Sequence, residues 1–375
     1  MNKNINKSNI KKDNSNPNKE ILFTSNPKYL SFFTNIITDC YYNYFDNTFC
    51  IFNSINKILC LIYLIKNDKI NSIVCFNILE NKKMIEIRKA HSELITNLRH
   101  YLDELNKRDL MISISSKNNN IKLWNINTFE CILNLENINK KGLLFSACFF
   151  KEENKIYLIS GNYLYGDPEQ IKVYDINNSN KIKEISDSKE NVVFIDTYYD
   201  KKDGINYIVS ANKGNIKSYN YKENKPYHIY DNKDNRNHNS LIVTENEGII
   251  KLNESSATGR IRIWNFHTGN IIATIMIYRY GEIYGLCLWN SEFLVAGCSD
   301  KKIKIVNFNR KRIYNELSGH NNDVLTVKKI IHPKYGECLI SNSDEIKLWK
   351  INKLFRKINL RQIIMGIGSK LYYNF

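Results

Sequence analysis

A chain of 375 residues with 43% hydrophobic and 12% aromatic side chains carries enough apolar material for a large core, which excludes wholesale disorder. Five prolines and fifteen glycines exclude collagen-like and proline-rich classes, and no apolar run nears the length of a membrane-spanning helix. The formal charge is +16, yet 43 basic residues are lysine and only 11 are arginine, the type that bidentate phosphate and base recognition prefers.

Residues 1–20 are polar and lysine-rich, with isoleucine only at positions 5 and 10, so a disordered tail is expected there. That stretch holds no apolar run and no arginine, which argues against a secretory signal and a mitochondrial presequence. The expected location is therefore intracellular, in the cytoplasm, with the nucleus as the alternative. The first long apolar run is Ile58 to Ile65, of strand length. Nine cysteines, at 40, 50, 60, 75, 131, 148, 287, 298 and 338, include no pair two or three residues apart. Buried, reduced thiols are expected, and neither a metal site nor a cofactor.

One short string recurs along the chain: IVCFN (73–77), IKLWN (121–125), IKVYD (171–175), IKSYN (216–220), IRIWN (261–265), IKIVN (303–307) and IKLWK (346–350). Successive copies end 42 to 50 residues apart, a period that points to a repeat architecture. Each copy reads as a strand closed by a turn residue. Further strand-like runs precede them. VVFIDTYY (192–199) and NYIVSA (206–211) lead to IKSYN, IYGLCLW (283–289) and FLVAGC (293–298) to IKIVN, and VLTVKKII (324–331) and CLIS (338–341) to IKLWK. A fourth run follows, as in ECILNLE (130–136) and NIIATIMI (270–277). Four strands in about 45 residues make one blade. The expected fold is thus all-β, a seven-bladed β-propeller of four-stranded antiparallel blades. It should span 21–360, with a C-terminal tail at 361–375. The ring-closing strand is left open between ILFTS (21–25) and LFRKINL (354–360).

The last repeat carries more than a period. SGHNNDV (318–324) runs to SNSDEIKLWK (341–350), with Gly319-His320 before the first strand and Trp349 ending the third. This resembles the WD-repeat β-propellers, whose repeat has a Gly-His pair and a Trp-Asp pair at these places. The resemblance implies a structural hydrogen-bond tetrad of His320, Ser341, Asp344 and Trp349. The second repeat keeps AHSELI (90–95) and Trp124, with Asn118 near the turn aspartate. The fifth keeps Trp264 and has Thr258 there, and the sixth keeps Asp300 but has Arg279 for His and Val306 for Trp.

His320, Ser341 and Asp344 could also be read as a hydrolase triad, but the repeat already accounts for all three. No other histidine has a ligand or carboxylate at motif spacing, so no enzyme is expected. Two features depart from the repeat. Nine residues, NYLYGDPEQ (162–170), fill a connection that usually holds about five, placing Tyr163, Tyr165 and Asp167 on the loop face that WD-repeat propellers use for partners. Arg279-Tyr280 replaces the Gly-His pair of the sixth blade on that same face. These five residues are the candidate partner-binding set, since tyrosine and arginine often anchor interfaces. The function expected is a non-catalytic scaffold for other proteins. An RNA- or ribosome-associated factor, drawing on the positive charge, is the alternative, with nucleic acid the less favoured partner.

Overall fold

The computed structural model describes residues 29–33 and 49–350, apart from 68–69, 81, 137, 139–142, 164–170, 186–191, 213, 224, 232–237, 247 and 344. Every regular element among them is a strand, and the strands form seven four-stranded antiparallel sheets arranged as a propeller. The seven recurring strings are the third strands of their blades. Ile171–Asp175 and Ile346–Lys350 coincide with the expected strings, and the other third strands begin one to three residues earlier.

The first blade comprises Phe49–Asn53, Leu59–Asn67, Ile70–Asn77 and Lys82–His91. Its second strand shows why a propeller sequence loses polar alternation. Leu59, Leu61 and Tyr63 pack toward the last blade, with Cys338, Ile340, Ile346 and Leu348. Cys60, Ile62 and Leu64 point the other way, into the second blade beside Leu98, Met111 and Trp124. A strand buried on both faces must be apolar at every position. Seven such clusters, one between each pair of neighbouring blades, form the core.

The ring closes through Tyr29–Phe33, which pairs antiparallel with Ile346–Lys350 as the outermost strand of the last blade. Tyr29 lies opposite Trp349 and Leu30 opposite Leu348. The closing strand thus comes from the N-terminal side of the chain, a few residues beyond the segment expected from sequence. Residues 21–25 and 354–360, like the tails 1–20 and 361–375, lie outside the described residues.

A second regularity ties the blades together. Six of the seven third strands carry a basic residue at equivalent positions: Lys122, Lys172, Lys217, Arg262, Lys304 and Lys347. All but Lys122 are buried. Lys122 Nζ donates to the carbonyl of Ala90 at 2.8 Å and Lys172 Nζ to that of Ile138 at 3.0 Å. Lys304 reaches Ile277 O at 3.4 Å, and Lys347 reaches Gly319 O. Ala90 lies at the end of the preceding blade's outer strand and the other three carbonyls in the connection that follows one, so the lysine staples a blade to its neighbour. Part of the positive charge is therefore architectural.

Candidate functional site

In a four-stranded meander, the second-to-third and blade-to-blade connections share one end of the ring. Three of the residues expected to form the tetrad of the last repeat meet here. Trp349 Nε1 donates to Ser341 Oγ at 2.7 Å, and Ser341 Oγ lies 2.6 Å from His320 Nε2. The indole N–H can only donate, which leaves the serine hydrogen available to the imidazole. Ser341 and Trp349 are completely buried and His320 nearly so. Asp344 lies outside the described residues.

The second blade repeats the arrangement. His91 Nε2 lies 2.7 Å from Ser113 Oγ, which accepts from Trp124 Nε1 at 2.8 Å. Asn118, at the turn position, bonds instead to Ser92 and Ser115, and His91 Nδ1 is buried without a hydrogen-bond partner. Burial, with help from Lys122, pushes the His91 imidazole down to about 3. It is held neutral.

The fifth blade solves the same problem with charge. Glu254 stands opposite Arg262, as Ser113 stands opposite Lys122 and Ser341 opposite Lys347. Its carboxylate is wholly buried and accepts from Arg262 Nη1 at 2.9 Å and Trp264 Nε1 at 3.3 Å, with His238 Nδ1 at 2.7 Å. Thr258, the expected turn residue, bonds to Ser256 at 2.7 Å and takes no part in this network.

The sixth blade abandons the network. Ala296 occupies the serine position and Val306 the tryptophan position, both completely buried. With Ala296 in the serine's place, the turn before the blade meets no side-chain acceptor at that position. The turn presents Arg279 and Tyr280 to solvent instead, Tyr280 being 84% exposed with the guanidinium 5.6 Å from its ring centroid. The backbone beneath is rigid, because Ile277 N and Tyr278 N both donate to Gly259 O, at 2.9 and 3.0 Å. Gly259 has φ +68°, and a Cβ there would fall 1.6 Å from the Tyr278 carbonyl oxygen, so this position requires glycine. Beside the turn lies an open cleft of about 620 Å³, bordered by Thr258, Arg260, Met276, Arg279, Tyr280 and Glu282.

Of the remaining candidates, Tyr163 ends the second strand of the third blade, Lys155–Tyr163, where its backbone pairs with Leu143. Its side chain, with Tyr165 and Asp167, lies outside the described residues. Two of the lysines after residue 300 are paired within the blade. Lys302 Nζ contacts Glu316 at 2.8 Å, and the buried Lys304 contacts Asp300 at 2.7 Å. Burial would raise the Glu316 carboxyl, but Lys302 and Lys304 bring it below its ordinary value.

Folding also gives carboxylates to histidines that had none in sequence. His100 Nε2 lies 2.9 Å from Asp109 Oδ1, stacked on Phe52, and His267 Nε2 lies 3.1 Å from Asp200 Oδ2. These pairs are 9 and 67 residues apart, so no motif spacing reveals them. The lysine staple was visible as a basic second letter in the recurring string. Glu254 shows only in the strand register.

Compared with known proteins, the chain matches no protein-family model and no curated protein. Among the described residues, no helix is long and apolar enough to cross a membrane. What fold and site define is a seven-bladed β-propeller whose sixth blade displays an arginine–tyrosine turn.

Proposed function

We propose that this chain is a WD-repeat propeller acting as a non-catalytic platform for other proteins in the cytoplasm. The observation that carries the reading is the joint change in the sixth blade. Ala296 and Val306 replace the serine and tryptophan of the network together, and the turn before them offers an Arg279–Tyr280 anchor pair beside a cleft. The His–Ser–Trp networks at 91, 113 and 124 and at 320, 341 and 349 support the WD-repeat assignment. A structural rather than catalytic role for Ser341 is supported by its complete burial beneath Trp349. Loops converging on one end allow several blades to contribute to one interface, and the rigid strands beneath limit the ordering cost of binding. The sequence pattern puts Tyr163, Tyr165 and Asp167 in a second-to-third connection, which favours them as further contacts.

The test is quantitative affinity capture with three variants: Arg279→Ala/Tyr280→Ala, Tyr163→Ala/Tyr165→Ala, and Lys301→Glu/Lys302→Glu. The first two should lose partners while melting like the parent. The charge reversal should have a smaller, salt-dependent effect. Loss of partners in the lysine variant alone, together with nuclease-sensitive capture, would replace this reading with the RNA-associated one.

A further inference from the structure

The opposite end of the ring carries the first-to-second and third-to-fourth connections, and there the fourth and fifth blades bring three ligand-type side chains together. Asp200 ends the inner strand Phe194–Asp200, Asp203 sits in the turn after it, and His267 lies in the turn after Arg260–Asn265. One ligand atom from each lies within 4.8 Å of the other two.

The second blade offers an internal control. Asp103 occupies the place of Asp200 at the end of its inner strand, and both of its oxygens are engaged by its own hairpin. Oδ1 accepts from Asn106 N at 3.2 Å, while Oδ2 accepts from Asn106 Nδ2 and Arg108 Nε, both at 2.8 Å. Asp200 uses only one oxygen in this way, Oδ1 accepting from Lys202 N at 2.9 Å and Asp203 N at 3.4 Å. Its Oδ2 is buried with no hydrogen-bond donor directed at it, although His267 Nε2 is only 3.1 Å away. The two atoms stand side by side without hydrogen-bond geometry.

That separation suits a shared cation. Two ligands with bonds of about 2.0–2.1 Å and a 3.1 Å gap subtend about 100° at the ion, between octahedral and tetrahedral values. The imidazole is also oriented for the task. His267 Nδ1 lies 3.1 Å from Tyr227 Oη, and His228 Nε2 bonds to the His267 carbonyl. With its N–H on Nδ1 donating to the tyrosine oxygen, the ring keeps a lone pair on Nε2 beside Asp200, as the outer partner of a metal-bound histidine does.

We propose that Asp200, Asp203 and His267 bind a divalent transition cation of the zinc class, completed by water, clamping the fourth blade to the fifth. An imidazole among the ligands favours zinc-like ions over calcium or magnesium. Cobalt(II) is the probe. After chelator treatment, the full-length chain with Cys131→Ser should take up one cobalt per chain, with visible bands of nitrogen and oxygen ligation. Zinc should displace the cobalt and raise the melting temperature, and calcium should do neither. His267→Ala, Asp200→Asn and Asp203→Asn should each lose the bands and the zinc-dependent shift, whereas Tyr280→Ala, at the opposite end of the ring, should keep both. Asp203 is exposed, so its variant tests the site even if the other two fail to fold. Absence of stoichiometric uptake would overturn the proposal, as would retention of the bands in Asp203→Asn, thiolate-type absorption, or a calcium-induced shift.

Discussion

Replacing Glu254 with serine would remove a carboxylate from a place where no water takes over its bonds. Glu254 is wholly buried and Arg262 is 4% exposed, so the guanidinium would lose the carboxylate at 2.9 Å and remain inside the protein. Burial already holds the Arg262 guanidinium below its usual value. Breaking a buried pair from one side costs about 3–5 kcal/mol, mostly the penalty for the stranded charge. The loss of the Trp264 bond falls within that range, because such terms do not add. The register supplies a rescue. Glu254→Ser with Arg262→Lys would recreate the serine–lysine pairing of the second and last blades, Ser113 opposite Lys122 and Ser341 opposite Lys347. The double variant should recover about 2 kcal/mol relative to Glu254→Ser, with His238 still short of an acceptor. Urea unfolding followed by tryptophan fluorescence measures both. A single variant within about 0.5 kcal/mol of the parent, or a double variant less stable than the single, would refute the equivalence of these positions.

Trp349→Ala should cost roughly 3–5 kcal/mol through lost packing and a broken network, and His320→Ala about 1–3 kcal/mol, by the same unfolding assay. His91 has its folded pKa depressed from 6.5 to about 3, so between those values the unfolded chain binds a proton that the folded chain does not. Its contribution is complete above pH 6.5 and falls on acidification by about 1.4 kcal/mol per unit, ending near pH 3. Unfolding curves from pH 7 to 4 should show a shallower slope in His91→Gln than in the parent. Asn118→Asp should give His91 Nδ1 the acceptor it lacks, adding about 1 kcal/mol at neutral pH and raising the imidazole pKa in an NMR titration. Gly259→Ala should lower the melting temperature and displace the Arg279–Tyr280 turn, visible as faster amide exchange at 277–281.

The propeller was legible because its third strands are buried on both faces and end in a turn, which leaves the same five-letter pattern at each pass around the ring. The closing strand was harder to find. Tyr29–Phe33 is only five residues long, and its place follows from pairing with Ile346–Lys350. The networks around His91 and His320 could be read where serine, histidine and tryptophan kept their places. In the fifth blade a longer acid does the serine's work from the same register, and a search for the usual residue finds nothing. The exposure of Tyr280 was foreshadowed by the loss of Gly-His, but its physical reason, Ala296 and Val306 behind it, needed the strand pairing. Asp200 and His267 are brought together across a blade interface, a contact that linear spacing does not encode.

The platform claim is tested most directly by contact mapping at the sixth-blade turn. A photocrosslinking amino acid at position 280 should capture a discrete protein partner in cells. The same group at position 272, on the exposed outer strand of the fifth blade, should capture none. Crosslinks at 272 but not at 280 would contradict the account, as would capture of RNA alone at 280.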